Sequence, residues 1–238
     1  MVTVIINGKK YQAEEGRKLL QVALDNGIEI PHLCYHENLS PYGGCRLCLV
    51  ELVGKKKSSL VTSCTLPVSE GLEVKTDTPQ VKRARRLVME MILSQAPDSL
   101  RIQALARELG VSASSFPSDG DGCIRCGLCV RACEELVGAG AISFANRGYA
   151  RTVEPPFAEE PKSCIGCGTC VVICPTDCIK MEERDGERKI IRWKRNLKMK
   201  SCVRCGRPFL PLAMIDFIAK RSTNPPSEEW FDLCPDCR

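Results

Sequence analysis

The chain has 238 residues, 44% hydrophobic but only 5% aromatic, and its 17 cysteines outnumber Phe, Trp and Tyr together. A charged fraction of 26%, with 34 Lys and Arg against 29 Asp and Glu, excludes both a disordered and a collagen-like chain. The opening Met1-Val2-Thr3-Val4-Ile5-Ile6 has no basic start, long apolar core or cleavage site, and no stretch reaches the roughly 18 apolar residues of a membrane span. A soluble protein of a reducing cytoplasm is expected, which disfavours a secreted disulfide framework and leaves metal–thiolate centres. The formal charge of +5 admits nucleic acid as a rival partner.

Residues 2–6 alternate as a strand, Asn7-Gly8 signals a type I′ hairpin, and residues 9–13 return as the second strand. Leu19, Leu20, Ala23 and Leu24 repeat at helical spacing over residues 16–26, with Gly27 placed to end the helix. Apolar runs at 47–53 and 72–75 read as further strands, so residues 1–78 form a small sheet crossed by one helix. Helical patterns follow at 81–95 and 99–109, broken at Pro97 and ended by Gly110, in a segment without Cys or His. Residues 112–122, rich in Ser, Gly and Asp, read as a linker. Two near-identical cysteine runs between 123 and 181 make an internal repeat, followed by a hairpin through Asp185-Gly186. The last module, 194–238, opens on the basic stretch 194–200 and contains an apolar helical segment at 212–219. The division is therefore 1–78, 79–122, 123–193 and 194–238. Modules of this size, poor in aromatics, need staples.

Sixteen cysteines fall into four groups of four, leaving Cys178, which a small packing position explains. The first group is Cys34-x10-Cys45-x2-Cys48-x15-Cys64. Zinc modules usually bring two close C-x2-C pairs, whereas here only one pair is close, which favours a [2Fe–2S] cluster. Tyr42-Gly43-Gly44 before Cys45 lets backbone N–H groups approach sulfur. The second and third groups are Cys123, Cys126, Cys129 and Cys133, then Cys164, Cys167, Cys170 and Cys174, both C-x2-C-x2-C-x3-C. This is the dicluster ferredoxin pattern, in which the fourth cysteine of each run ligates the other cluster. One [4Fe–4S] cluster is therefore assigned to Cys123, Cys126, Cys129 and Cys174, the other to Cys164, Cys167, Cys170 and Cys133. Glu134 stands where the second run has Pro175, so the backbone after the two runs should differ. The fourth group, Cys202-x2-Cys205 and Cys234-x2-Cys237, is a tetrathiolate of zinc-ribbon type; spacing leaves Zn2+ and a further Fe–S cluster both open.

These motifs resemble the iron–sulfur electron-transfer subunits of NAD(P)-linked hydrogenases and the large iron–sulfur subunit of complex I, in a shortened form. The x10 gap departs from plant-type ferredoxins and is similar to the N-terminal domain of that family. The resemblance implies an α+β chain: a β-grasp [2Fe–2S] domain, a short helical segment, a dicluster 2[4Fe–4S] ferredoxin domain and a small C-terminal four-cysteine module. It fails at one point, because residues 91–100, where many relatives place a cluster held by one histidine and three cysteines, supply no ligand. The only histidines, His32 and His36, flank Cys34 and read as surface or hydrogen-bonding groups. Gly138-Ala139-Gly140 begins like a dinucleotide fingerprint, but Ser143 replaces the third glycine and no βαβ unit surrounds it.

The function implied by the resemblance is relay of single electrons between a flavin-bearing, NAD(P)H-oxidising subunit and a catalytic subunit. The expected terminus is a [NiFe] hydrogenase, in a complex that bifurcates electrons in some relatives. The partners implied are an FMN flavoprotein, a small thioredoxin-like [2Fe–2S] subunit and a hydrogenase or formate dehydrogenase catalytic subunit, with no nucleic acid and no membrane span. The rival is a zinc-rich module binding nucleic acid through Lys55-Lys56-Lys57 and the 194–200 stretch. Counting thiolates favours the first reading: four occupied sites at about −2 each move the net charge from +5 to about −3.

Overall fold

Asn7 and Gly8 both adopt left-handed backbone (φ 52° and 79°), the geometry that Asn-Gly turns favour. Strand β1 (Val2–Ile6) therefore pairs antiparallel with β2 (Lys9–Ala13), Val2 opposite Ala13 and Ile6 opposite Lys9. The computed structural model describes residues 1–54, 59–118, 120–224 and 226–238. Lys55-Lys56-Lys57, half of the expected nucleic-acid surface, lies outside the described residues. The chain divides into two units, Met1–Leu128 and Cys129–Arg238. Among the described residues no helix is long and apolar enough to cross a membrane.

In the first unit, β3 (Leu49–Leu52), β4 (Ser59–Thr62) and β5 (Glu73–Lys75) complete a five-stranded sheet of order β2-β1-β5-β3-β4. β1 and β5 run parallel and the other pairs antiparallel. Helix α1 (Leu19–Asp25) buries Leu19, Leu20, Val22 and Ala23 in the same core as Val4, Ile6, Val50 and Val74. One helix laid on a mixed sheet is the expected β-grasp arrangement. The Asn7 side chain fastens the hairpin to the end of β5, donating to Thr76 Oγ1 and accepting from Thr76 N–H, each at 2.8 Å.

Helix α2 (Pro79–Gln95) begins slightly earlier than its apolar pattern, because Thr78 Oγ1 accepts the Val81 N–H at 3.2 Å and Pro79 suits the first turn. It ends before Pro97, and α3 (Leu100–Glu108) returns against it, followed by Gly110 at φ 73°. The segment 91–100 is thus a helix end, a turn and a helix start. α2 also packs on β3, where the buried Arg85 donates to the Leu49 carbonyl at 2.6 Å.

The repeat begins at the end of the first unit and runs on through the second. Helix α4 (Leu128–Arg131) continues into a π-turn at Ala132–Leu136, whereas α5 (Thr169–Val172) stops short of Pro175. Proline lacks the N–H and clashes with the preceding turn, while Glu134 has neither defect, so only the first run winds on. A short hairpin pairs β6 (Ser143–Ala145) with β7 (Thr152–Glu154). An antiparallel sheet follows in the order β11-β10-β9-β8, built from β8 (Met181–Arg184), β9 (Glu187–Ile190), β10 (Arg195–Ser201) and β11 (Pro208–Pro211). Asp185 and Gly186 form the predicted turn, both left-handed at φ 54° and 76°. α6 (Leu212–Arg221) packs on β10 and β11. The basic stretch 194–200 is mostly β10, with Leu197 and Met199 inward and Lys198 outward; Arg195 pairs with Glu160 at 2.8 Å and Lys200 with Asp232 at 2.7 Å.

Candidate metal centres

The loop from Leu33 to Cys48 and the turn after β4 bring Cys34, Cys45, Cys48 and Cys64 together, all four buried. Cys34 touches both Cys45 and Cys64, and Cys64 also touches Cys48. Contact with its neighbours draws the Cys34 thiol down and pushes Cys45 and Cys64 up, so the set ionises together only beside a cation. Backbone N–H groups of Gly44 and Cys45 point at Cys34 sulfur, the Cys45 N–H at 3.4 Å. The glycines explain that approach: Gly43 is left-handed (φ 70°), and a Cβ on Gly44 would collide with the Tyr42 ring. Ser63 secures the other side, its N–H and hydroxyl both donating to the Cys48 carbonyl at 2.9 and 2.8 Å. Buried thiols, backbone donors and a glycine pair with no room for side chains fit an anionic [2Fe–2S] cluster. The histidines face other groups: His32 Nδ1 lies 2.8 Å from the Ile30 carbonyl, and His36 Nδ1 accepts the Asn38 N–H at 3.2 Å.

In the second unit Cys133 of the first run lines one cavity with Cys164, Cys167 and Cys170 of the second, walled by apolar groups including Ile142 and Ile165. Burial pushes the Cys133 and Cys164 thiols up, and Cys170 to about 11, so thiolates here require a cation to offset them. N–H donors aim at sulfur, among them Ala141 to Cys133 at 3.3 Å and Trp193 Nε1 to Cys170 at 3.4 Å. Four thiols, an apolar wall and N–H···S donors fit a [4Fe–4S] cluster. The loop that resembled a dinucleotide fingerprint has a different task, since Ala139 and Gly140 N–H groups close on the Cys133 carbonyl at 3.0 and 3.3 Å.

The two cysteine loops share a backbone form. Arg125 and Gly127 in the first match Gly166 and Gly168 in the second, all left-handed at φ 52°, 73°, 72° and 79°. Glycine is needed at 166, where a Cβ would lie 2.6 Å from Leu197 Cδ1. The sheet holds this second loop through its carbonyls, Arg188 donating to Gly166 at 2.6 Å and Arg195 to Cys164 at 3.1 Å. Cys123, Cys126 and Cys129 are buried, whereas Cys174 is half-buried with its sulfur 3.7 Å from that of Cys178. Cys178 thus packs against an expected ligand. The fourth group gathers fully: Cys202, Cys205, Cys234 and Cys237 place their sulfur atoms within 4.8 Å of one another.

Trp193, Arg188, Arg195, Arg85 and Ala141 are the residues that sequence reading missed. None belongs to a motif. Only proximity in the fold assigns them, although Trp193 is one of just two tryptophans in the chain.

Family models of iron–sulfur domains match the segments that contain the first three cysteine groups. Residues 1–79 match the 2Fe-2S iron-sulfur cluster binding domain, and residues 118–181 and 163–208 match 4Fe-4S dicluster domains. The chain is 34% identical over 215 residues to the HndD subunit of the NADP-reducing hydrogenase of Solidesulfovibrio fructosivorans, covering 77% of this chain and 36% of that protein. It is 32% identical over 204 residues to a subunit of the NADH-quinone oxidoreductase of Rickettsia prowazekii (strain Madrid E), covering 75% and 30%. The chain therefore spans about a third of the length of the curated relatives it matches. Among solved structures, a chain of an NAD+-reducing [NiFe]-hydrogenase in the H2-reduced state aligns with TM-score 0.57 at 31% identity, covering 65% of this chain and 74% of that one. The chain belongs to the family of iron–sulfur subunits of NAD(P)-linked hydrogenases and complex I-type NADH-quinone oxidoreductases.

Proposed function

We propose that the chain relays single electrons between a flavoprotein that oxidises NAD(P)H and a catalytic subunit, hydrogenase in the first instance, of a cytoplasmic multi-subunit complex. In this reading Cys34, Cys45, Cys48 and Cys64 hold the [2Fe–2S] cluster. Cys164, Cys167, Cys170 and Cys133 hold one [4Fe–4S] cluster and Cys123, Cys126, Cys129 and Cys174 the other, in modules bounded at 1–78, 79–122, 123–193 and 194–238. The clusters, when bound, supply one-electron redox chemistry. The chain's own residues set the terms: apolar walls exclude water, and N–H donors from Gly44, Cys45, Ala141 and Trp193 favour the more negative, reduced form. The observation that carries the reading is the cavity lined by Cys133 from one run and three cysteines from the other. A zinc array has no use for such an exchange of ligands between runs.

Hydride chemistry belongs to a flavin on a partner, which splits two-electron donors into single electrons. The relatives, subunits of an NADP-reducing hydrogenase and of an NADH-quinone oxidoreductase, support partners of that kind. The test is isolation of the complex through a tag on this chain. FMN, a second small [2Fe–2S] subunit and hydrogen-dependent reduction of NAD(P)+ are expected to co-purify. Formate-dependent reduction in its place would move the terminus to a formate dehydrogenase, and neither activity with a bound nucleic acid would contradict electron relay.

A further inference from the structure

The C-terminal thiols are packed differently from a cluster. Every pair among Cys202, Cys205, Cys234 and Cys237 sulfur atoms is within 4.8 Å, and Cys205 and Cys234 are 3.8 Å apart. With zinc–sulfur bonds of about 2.3 Å, thiolates at the corners of a tetrahedron around one ion stand about 3.8 Å apart. Thiolates capping separate irons of a [2Fe–2S] or [4Fe–4S] cluster stand about 6 Å apart, and whereas the first group has contacts between some of its sulfur atoms, here all four close on one point. Among the described residues no other group of three or more Cys, His, Asp or Glu is gathered in this way.

We propose that this site is mononuclear and closed, holding one Zn2+ between four thiolates as a redox-silent staple and not as a further station for electrons. Of the single ions a tetrahedral tetrathiolate accepts, zinc binds more tightly than ferrous iron along the Irving–Williams order. Both C-x2-C pairs form knuckles, with Gly206 N–H donating to the Cys202 carbonyl at 2.8 Å and Cys237 N–H to the Cys234 carbonyl at 3.0 Å. Arg207 donates to Cys234 sulfur at 3.5 Å and pairs with Asp236, while Arg204 donates to the Cys237 carbonyl at 2.7 Å. Two guanidinium groups thus face a centre of charge about −2.

The staple has mechanical work to do. It joins the β10–β11 turn to the tail, across a loop that carries β11 and α6, and α6 has no fully buried residue. The protein's own contacts between tail and turn include Val203 N–H to the Asp232 carbonyl at 2.9 Å, beside the buried Phe231.

The test is zinc, iron and sulfide analysis of the anaerobically purified full chain, with zinc-edge X-ray absorption. One zinc per chain with four sulfur neighbours at about 2.3 Å and no iron neighbour is expected. Cys205→Ala should lose that zinc and keep iron and sulfide unchanged; if the variant does not fold, absorption by the unsubstituted chain still decides. Zinc absent with iron at about 14 per chain, or one mononuclear iron in its place, overturns the proposal. Zinc at this site in a chain without iron would leave the proposal standing and remove the relay, so the two fail separately.

Discussion

Cys133→Ala is expected to remove the same [4Fe–4S] cluster as Cys164→Ala, taking iron from about ten atoms per chain to about six, while Cys174→Ala should match Cys123→Ala. The expectation runs against sequence proximity, which would group Cys133 with Cys123, Cys126 and Cys129. It rests on the cavity that Cys133 shares with Cys164, Cys167 and Cys170, and on the Ala139 to Ala141 loop that folds over Cys133. Serine is the weaker substitution because its oxygen still binds iron. EPR of the dithionite-reduced variants reads the outcome, since each pair should leave the same residual cubane signal. Matching of Cys133→Ala with Cys123→Ala would mean that each run closes on itself.

Arg85→Met should cost about 2–4 kcal/mol and lower the [2Fe–2S] potential by about 50 mV. The side chain is 6% exposed on α2, its Nε has no hydrogen-bond partner, and its Nη2 donates to the Leu49 carbonyl, directly after Cys48. Burial pushes the guanidinium pKa down, and the negative charges of Cys48 and Asp77 oppose that shift. A buried cation is tolerated where an anion balances it, and a cluster with four thiolates is such an anion. Removal leaves the Leu49 carbonyl without its donor and the reduced cluster without a buried positive charge beside Cys48. Arg85→Lys should restore most of the potential but not the stability, since lysine keeps the charge and loses the planar fork. Denaturation of the anaerobic holoprotein and EPR-monitored redox titration measure the two effects. A destabilised Arg85→Met variant with an unchanged potential would make Arg85 a purely structural bolt between α2 and β3.

The four cysteine groups were legible because metal coordination fixes spacing: a C-x2-C-x2-C run has few other uses. Asn7-Gly8 and Asp185-Gly186 were legible for a similar reason, as few residue pairs accept two left-handed positions. β4 was not, because Ser59-Leu60-Val61-Thr62 is short and only its last residue is buried. The 194–200 stretch hid β10, where Leu197 and Met199 face the core at period two between cations that dominate composition. Trp193 and Arg85 show the larger gap. Their roles depend on being carried to the cysteine loops by the chain's fold, Trp193 from 23 residues beyond Cys170 and Arg85 from 36 beyond Leu49, and sequence spacing contains no trace of that. The metal of the fourth group stayed open for the same reason. Zinc and cluster sites share a C-x2-C signature, and the zinc proposal rests on how closely all four sulfur atoms gather, which spacing does not contain.

The most direct test of the relay is iron and sulfide content of the anaerobically purified full chain together with EPR after dithionite reduction. About ten iron and ten sulfide per chain are expected, with one [2Fe–2S] signal and a broadened pair from two neighbouring [4Fe–4S] clusters. A colourless protein with zinc at all four cysteine groups, or iron well below ten with no spin–spin broadening, would contradict it.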